Sequence, residues 1–121
     1  MIIREQVAGA VFHIAERHVW DASSDIYVPS AFADEGFIHL SYADQVTATA
    51  ERYYQDRQDL VLLRISRAQL GLDVVDENLL GGAELFPHLY APLHHGAVEA
   101  VTAVVWDAQG RLDSTIIAGK N

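Results

Sequence analysis

The sequence predicts a single α+β domain, residues 1 to 121, in which mostly antiparallel sheets curl around a cleft and one main helix packs beside them. Three observations carry this expectation. Short runs rich in aliphatic, aromatic and β-branched residues recur along the chain, each closed by Gly, Pro, Asp or Ser. One stretch alone, from Ser41 to about Asp56, keeps apolar residues at helical spacing over several turns. The 121 residues leave room for one hydrophobic core.

Taken in order, Ala10 to Ala15 is a compact apolar run with His13 in its middle and reads as a buried strand. Arg17 to Ser24 forms a short helix with Val19 and Trp20 inward, ended by Ser23-Ser24-Asp25. Tyr27 to Ser30 is extended, because the residue before Pro29 is pushed out of the α region. One helical turn over Ser30 to Asp34 is broken at Glu35-Gly36. Phe37 to Leu40 is the second strand, and Ser41 is placed as N-cap of the long helix, with Asp44 in its first turn. That helix turns Val46, Ala50, Tyr53 and Tyr54 inward and leaves Gln45 and Thr49 wet.

Leu60 to Ser66 is apolar on both faces, as a central strand covered on two sides should be. Arg67 to Leu70 is a helical turn stopped by Gly71. Asp73 to Glu77 is a short strand near an edge, and Leu79 to Ala83 a glycine-bearing loop. Pro87 and Pro92 forbid long regular structure around His88-Leu89-Tyr90. Ala97 to Asp107 is the longest strand expected, with Val98, Thr102, Val104 and Trp106 on one side. Ala108-Gln109-Gly110 turns the chain into a final strand at Arg111 to Ser114, ahead of a loose tail.

Composition excludes several functions. Cysteine is absent, which removes disulfides, thiolate chemistry and Cys-ligated metal sites. A formal charge of -9 disfavours nucleic acid. Arg64 and Arg67 could fork around one small phosphate or serve as solvated element ends. No run reaches the roughly 20 apolar residues of a membrane span and no signal sequence opens the chain, so a soluble, cytoplasmic protein is expected.

Six histidines raise the question of a metal. Their spacing speaks against one: His94 and His95 are adjacent and no helical HxxxH pair exists, so no metal is expected. There is no GxSxG elbow for Ser41, and no GxGxxG or Walker loop. What remains is a pair of histidines in apolar runs, His39 within Glu35-Gly36-Phe37-Ile38-His39-Leu40-Ser41 and His88 within Leu85-Phe86-Pro87-His88-Leu89-Tyr90. Such an imidazole is either satisfied in the core or placed at the floor of a pocket. Glu77, at a strand end before the glycine loop, is either an edge charge or a carboxylate reaching into a cleft. Trp20, Tyr27 and Tyr90 are either core rings or pocket walls.

These residues, with Phe12-His13-Ile14, Gln45, Thr49, Leu60 to Ile65, Ala91-Pro92-Leu93 and the phrase Phe86 to Tyr90, resemble the small bacterial and plant family called domain of unknown function 952. The likeness is collinear from about Val11 to Val101. Ala91 stands where that family most often has Gly, and the loop after Glu77 is one residue longer than usual.

The family is similar in fold to the ADP-ribosyltransferases. The resemblance implies NAD as the small molecule bound. It further implies His13 and Glu77 as catalytic residues, with His13 on a ribose and Glu77 on the nicotinamide-ribose 2'-hydroxyl. Ser41 with neighbouring Phe37 or Tyr27 would line the nicotinamide side, His39 would also bind the cofactor, and His88, Tyr90 and Trp20 would form the rest of the pocket. A looser likeness to RNA 2'-phosphotransferases lacks their set of phosphate-binding arginines. The activity implied is NAD-dependent ADP-ribosyl transfer or NAD glycohydrolysis. The alternatives are a non-catalytic small-molecule-binding module on the same fold, and an acidic interaction protein meeting a basic partner.

Overall fold

Alternation along two long strands divides the interior into two cores. The computed structural model describes residues 9–78 and 84–118. Strand β1 (Ala10–Glu16) pairs antiparallel with β4 (Leu60–Ser66), which pairs antiparallel with β8 (Val98–Ala103), giving a sheet of order β1-β4-β8. Val11, Ala15, Val61, Leu63 and Ile65 face one core, and Ala10, Phe12, Ile14, Leu60 and Leu62 the other. Each such aliphatic side chain, removed from water, contributes roughly 1.5–3 kcal/mol before the entropy of ordering is subtracted. His13 lies at an odd position, on the Val11 and Ala15 side of β1.

The first core is closed by two smaller sheets. One joins β2 (Ile26–Tyr27) to β7 (Leu93–His94). The other has order β3-β6-β5, from β3 (Ile38–His39), β6 (Phe86–Leu89) and β5 (Val75–Glu77). Every strand pair among the described residues is antiparallel. The register of β3 on β6 sets His39 directly opposite His88. Helix α1 (Arg17–Ala22) turns Val19 and Trp20 onto this core as expected. The second core lies under the main helix, α3 (Val46–Tyr53), whose Val46 and Ala50 are buried. Two single turns, α2 (Phe32–Glu35) and α4 (Arg67–Leu70), complete the α-helices among the described residues, and both end on a left-handed glycine, Gly36 or Gly71. The chain is thus a small mixed domain of antiparallel sheets with few helices.

Several expectations need correction. Ser41 does not cap the helix. It exchanges both backbone hydrogen bonds with Phe12, each of 2.8 Å, and so extends β1 sideways toward β3. The turn that opens the helix, Ala43–Gln45, begins instead at Tyr42, whose N–H donates to Gln45 Oε1 at 3.0 Å. Gln45 is therefore buried rather than wet, and its Nε2 also donates to Glu84 Oε2 and the Leu85 carbonyl. Tyr53, read as inward, is half exposed. The long strand expected to Asp107 stops at Ala103, because its partner β4 begins at Leu60, whose carbonyl takes the Val104 N–H. A single bridge, Trp106 to Leu112, replaces the final strand, followed by a 3-10 turn over Ser114–Ala118. The glycine loop at Leu79 to Ala83 and the end of the tail lie outside the described residues.

Gly36 positions the site by ending α2 at φ 82 just before Phe37. Beyond its own chain neighbours, no described heavy atom lies within 4 Å of the place a Cβ would occupy. Gly36→Ala is therefore expected to lose about 1–2 kcal/mol from backbone strain alone, read as a lower urea midpoint with unchanged m-value.

Candidate functional site

A cleft of about 240 Å³ opens where β1, β2 and β3 meet the end of the main helix. Its lining comes from His13, Ile14 and Glu16 of β1, Tyr27 of β2, the Pro29 to Ala31 turn, Glu35, Phe37, His39, and Tyr54 and Arg57 beyond α3. Two chain breaks help to shape the lining: Pro29 keeps the segment after β2 open, and Gly36 reverses the chain toward Phe37.

His13 ties three elements together. Its Nδ1 lies 2.8 Å from the His39 carbonyl oxygen, which can only accept, so Nδ1 carries the proton. Nε2 then accepts from the Tyr27 hydroxyl at 2.8 Å. Burial lowers the His13 pKa from its ordinary 6.5 to about 4, against the raising effect of the His39 carbonyl. Burial likewise raises the Tyr27 hydroxyl well above its ordinary range, so at neutral pH both groups are uncharged.

A second group stands behind Phe37. Glu77 Oε1 accepts from the Tyr90 hydroxyl at 2.6 Å and from His88 Nδ1 at 2.8 Å. Tyr90 first, then His88, hold the carboxyl below its ordinary range, so Glu77 is ionised. Both bonds end on Oε1, and among the described residues neither engages Oε2. The Phe37 ring stacks on His88 at 4.3 Å and 19°, lies 5.3 Å from Tyr90, and meets His39 edge-on at 4.8 Å. His39 and His88 stand 5.2 Å apart with rings nearly perpendicular. His39 Nε2 lies 3.2 Å from Glu35 Oε1, so two imidazole and carboxylate pairs face each other across the β3 and β6 pairing.

Four of the residues expected from the sequence, His13, Tyr27, Phe37 and His39, therefore line the cleft, and three more, Glu77, His88 and Tyr90, form the layer behind Phe37. Two do not join them. Ser41 is buried in its bridge to Phe12, and Trp20 stacks on His95 at 4.0 Å, touching the site only through its tilted approach to Tyr27. The sequence reading did not pick out Glu16, Ser30, Glu35, Tyr54 or Arg57. Glu35 lies four residues before His39, but the helix ends at Gly36 between them, so helical spacing did not signal their pairing. Arg57 and Glu16 had no local signal either, since their 3.1 Å ion pair joins residues 41 apart in sequence.

Among the described residues no group of three or more His, Asp or Glu side chains is arranged to hold a metal ion. None of their helices is long and apolar enough to cross a membrane.

Residues 14–101 match the model of a family described as protein of unknown function (DUF952). The fold is similar to the crystal structure of protein CC0527 from Caulobacter crescentus, with a TM-score of 0.79 and 32% identity over 90% of this chain and 98% of that one. It is also similar to the solution NMR structure of CC0527, with a TM-score of 0.73 and 33% identity over 87% and 92% of the two chains. No curated protein matches the sequence.

Proposed function

The chain belongs to the DUF952 family, and we propose that its cleft and Glu77 together cleave the nicotinamide glycosidic bond of NAD, passing ADP-ribose to water or to an acceptor. The observation that carries this is Glu77, a carboxylate held ionised by two donors and set behind an aromatic ring that lines the cleft. In the reaction the bond electrons leave with the ring nitrogen, and positive charge develops on the ribose. A fixed carboxylate stabilises that charge. Likeness of the family to the ADP-ribosyltransferase fold belongs to the same reading.

The dimensions limit what the cleft holds. Pockets for drug-sized ligands run to roughly 300–1,000 Å³, so a cleft of about 240 Å³ suits the nicotinamide-ribosyl half and not the whole dinucleotide. The one Arg among its described lining residues, Arg57, is already bonded to Glu16, so in this reading the diphosphate lies outside. Nicotinamide would face Phe37 and Tyr27, with the ribose turned past Phe37 toward Glu77.

A non-catalytic binding module is the second reading, and His13 favours it. With both ring nitrogens already bonded inside the protein, His13 has no polar atom left for a ribose.

Backbone NMR titration with NAD separates the two. Saturable shifts at Tyr27, Phe37, His39, Glu77 and His88, followed by free nicotinamide in the tube, are expected. Shifts without nicotinamide would favour the binding module, and no shifts at millimolar NAD would end the NAD reading.

A further inference from the structure

The cleft is rich in acceptors, and four of its donors are committed inside the protein. The Tyr27 hydroxyl donates to His13, and His13 to the His39 carbonyl. Ser30 Oγ donates to Glu16 Oε1 and Arg57 Nη2 to Glu16 Oε2, both at 3.1 Å. The Arg57 guanidinium is further held over the Tyr54 ring, 5.5 Å from its centroid. Two carboxylates, Glu16 and Glu35, thus share the walls with one guanidinium that is already engaged. Tyr27 lines the cleft but is only 1% exposed, so the acceptors a ligand meets first are the Glu16 and Glu35 carboxylates. Glu35 uses Oε1 toward His39 and keeps Oε2.

A ligand entering here meets acceptor oxygens, negative charge and the rings of Phe37 and Tyr54. A neutral amide satisfies part of this, and an anion none of it. A planar cation carrying N–H groups matches all three, since charged donors make the stronger hydrogen bonds and cations are drawn to aromatic faces.

We propose that the cleft selects small planar organic cations with N–H donors, of the amidinium or guanidinium class, over neutral and anionic counterparts, with Glu35 as the residue that sets this preference. The selectivity does not depend on the NAD reading, because it holds for a cleft that performs no catalysis.

Benzamidinium and benzamide test it, having one ring and nearly one shape but different charge. In a backbone NMR titration at neutral pH, benzamidinium is expected to bind about tenfold more tightly, with shifts gathered at Tyr27, Glu35, Phe37 and His39. Glu35→Gln is expected to weaken benzamidinium about three- to tenfold and leave benzamide unchanged, Glu35 being partly exposed and its interaction partly screened. Glu99→Gln removes an acid that pairs with Arg64 on β4 and should change neither, which separates the cleft from the general negative charge.

Equal or tighter binding of benzamide overturns the selectivity. So do shifts scattered over the surface and indifferent to Glu35→Gln, and so does inorganic pyrophosphate moving the cleft signals. Benzamide bound without preference for its cation, alongside a normal NAD response, would sink this proposal and leave the NAD reading standing. Preference for benzamidinium with no NAD response would do the reverse.

Discussion

Glu77→Gln is expected to slow nicotinamide release from NAD by about 10²- to 10³-fold in kcat, the range found when one preorganised electrostatic group is removed from a catalytic site. Glutamine is the informative substitution. Its carbonyl oxygen still accepts from Tyr90 and His88, so the cluster behind Phe37 keeps its shape while the charge goes. KM should move little, because the lost interaction grows only as the ribose becomes positive. The pH profile adds a second check. Tyr90 and His88 stabilise the ionised form, so rate owed to Glu77 persists as the pH falls and is lost only below the ordinary carboxyl range near 4.5. An unchanged kcat in Glu77→Gln would remove the carboxylate from the chemistry and leave only a binding role for the cluster.

The elements were legible in the sequence where one local rule dominates. The burial of β4 on both faces follows from Leu60-Val61-Leu62-Leu63, and the ends of α2 and α4 follow from Gly36 and Gly71, because periodicity and left-handed glycine act within a few residues. Gln45 was misread because its three partners include Glu84 and Leu85, about forty residues away, and a polar side chain at a helix start defaults to water when those partners are unseen. Ser41 was misread for a related reason. Serine before a helical stretch signals a cap, but here the backbone bridge to Phe12 decided its place.

The candidate site divides in the same way. His39 and His88 stood out because each imidazole sits in an apolar run, and the antiparallel register then set them face to face. Glu77 stood out by position, but its clamp by Tyr90 and His88 depends on β5 and β6 being neighbours, which a sequence does not print. The acceptor character of the cleft was invisible, since it follows from where four donors are already committed. His13 shows the difference most sharply. As a residue type in a motif it implied contact with a ribose, whereas its hydrogen bonds make it the brace that joins β1 to β2 and β3.

That bracing role gives the protein an acid-sensitive stability. Folded His13 resists protonation until about pH 4, while in the unfolded chain it takes up a proton near its ordinary 6.5. Between these values the unfolded state binds more protons, so stability is fully present above about pH 6.5 and falls as the pH drops toward 4. The interval corresponds to about 3 kcal/mol, and about 2 kcal/mol of it is lost already between pH 7 and pH 5. His13→Gln can keep both bonds, its amide N–H donating to the His39 carbonyl and its carbonyl accepting from Tyr27, without a group that titrates. Urea unfolding of both proteins at pH 7 and pH 5 isolates the effect, because the other five histidines are common to the two. The original chain should lose about 2 kcal/mol more than the variant across that range. Parallel losses in the two proteins would mean that folded His13 takes up its proton over the same pH range as in the unfolded chain, and the fixed neutral pairing with Tyr27 would be wrong.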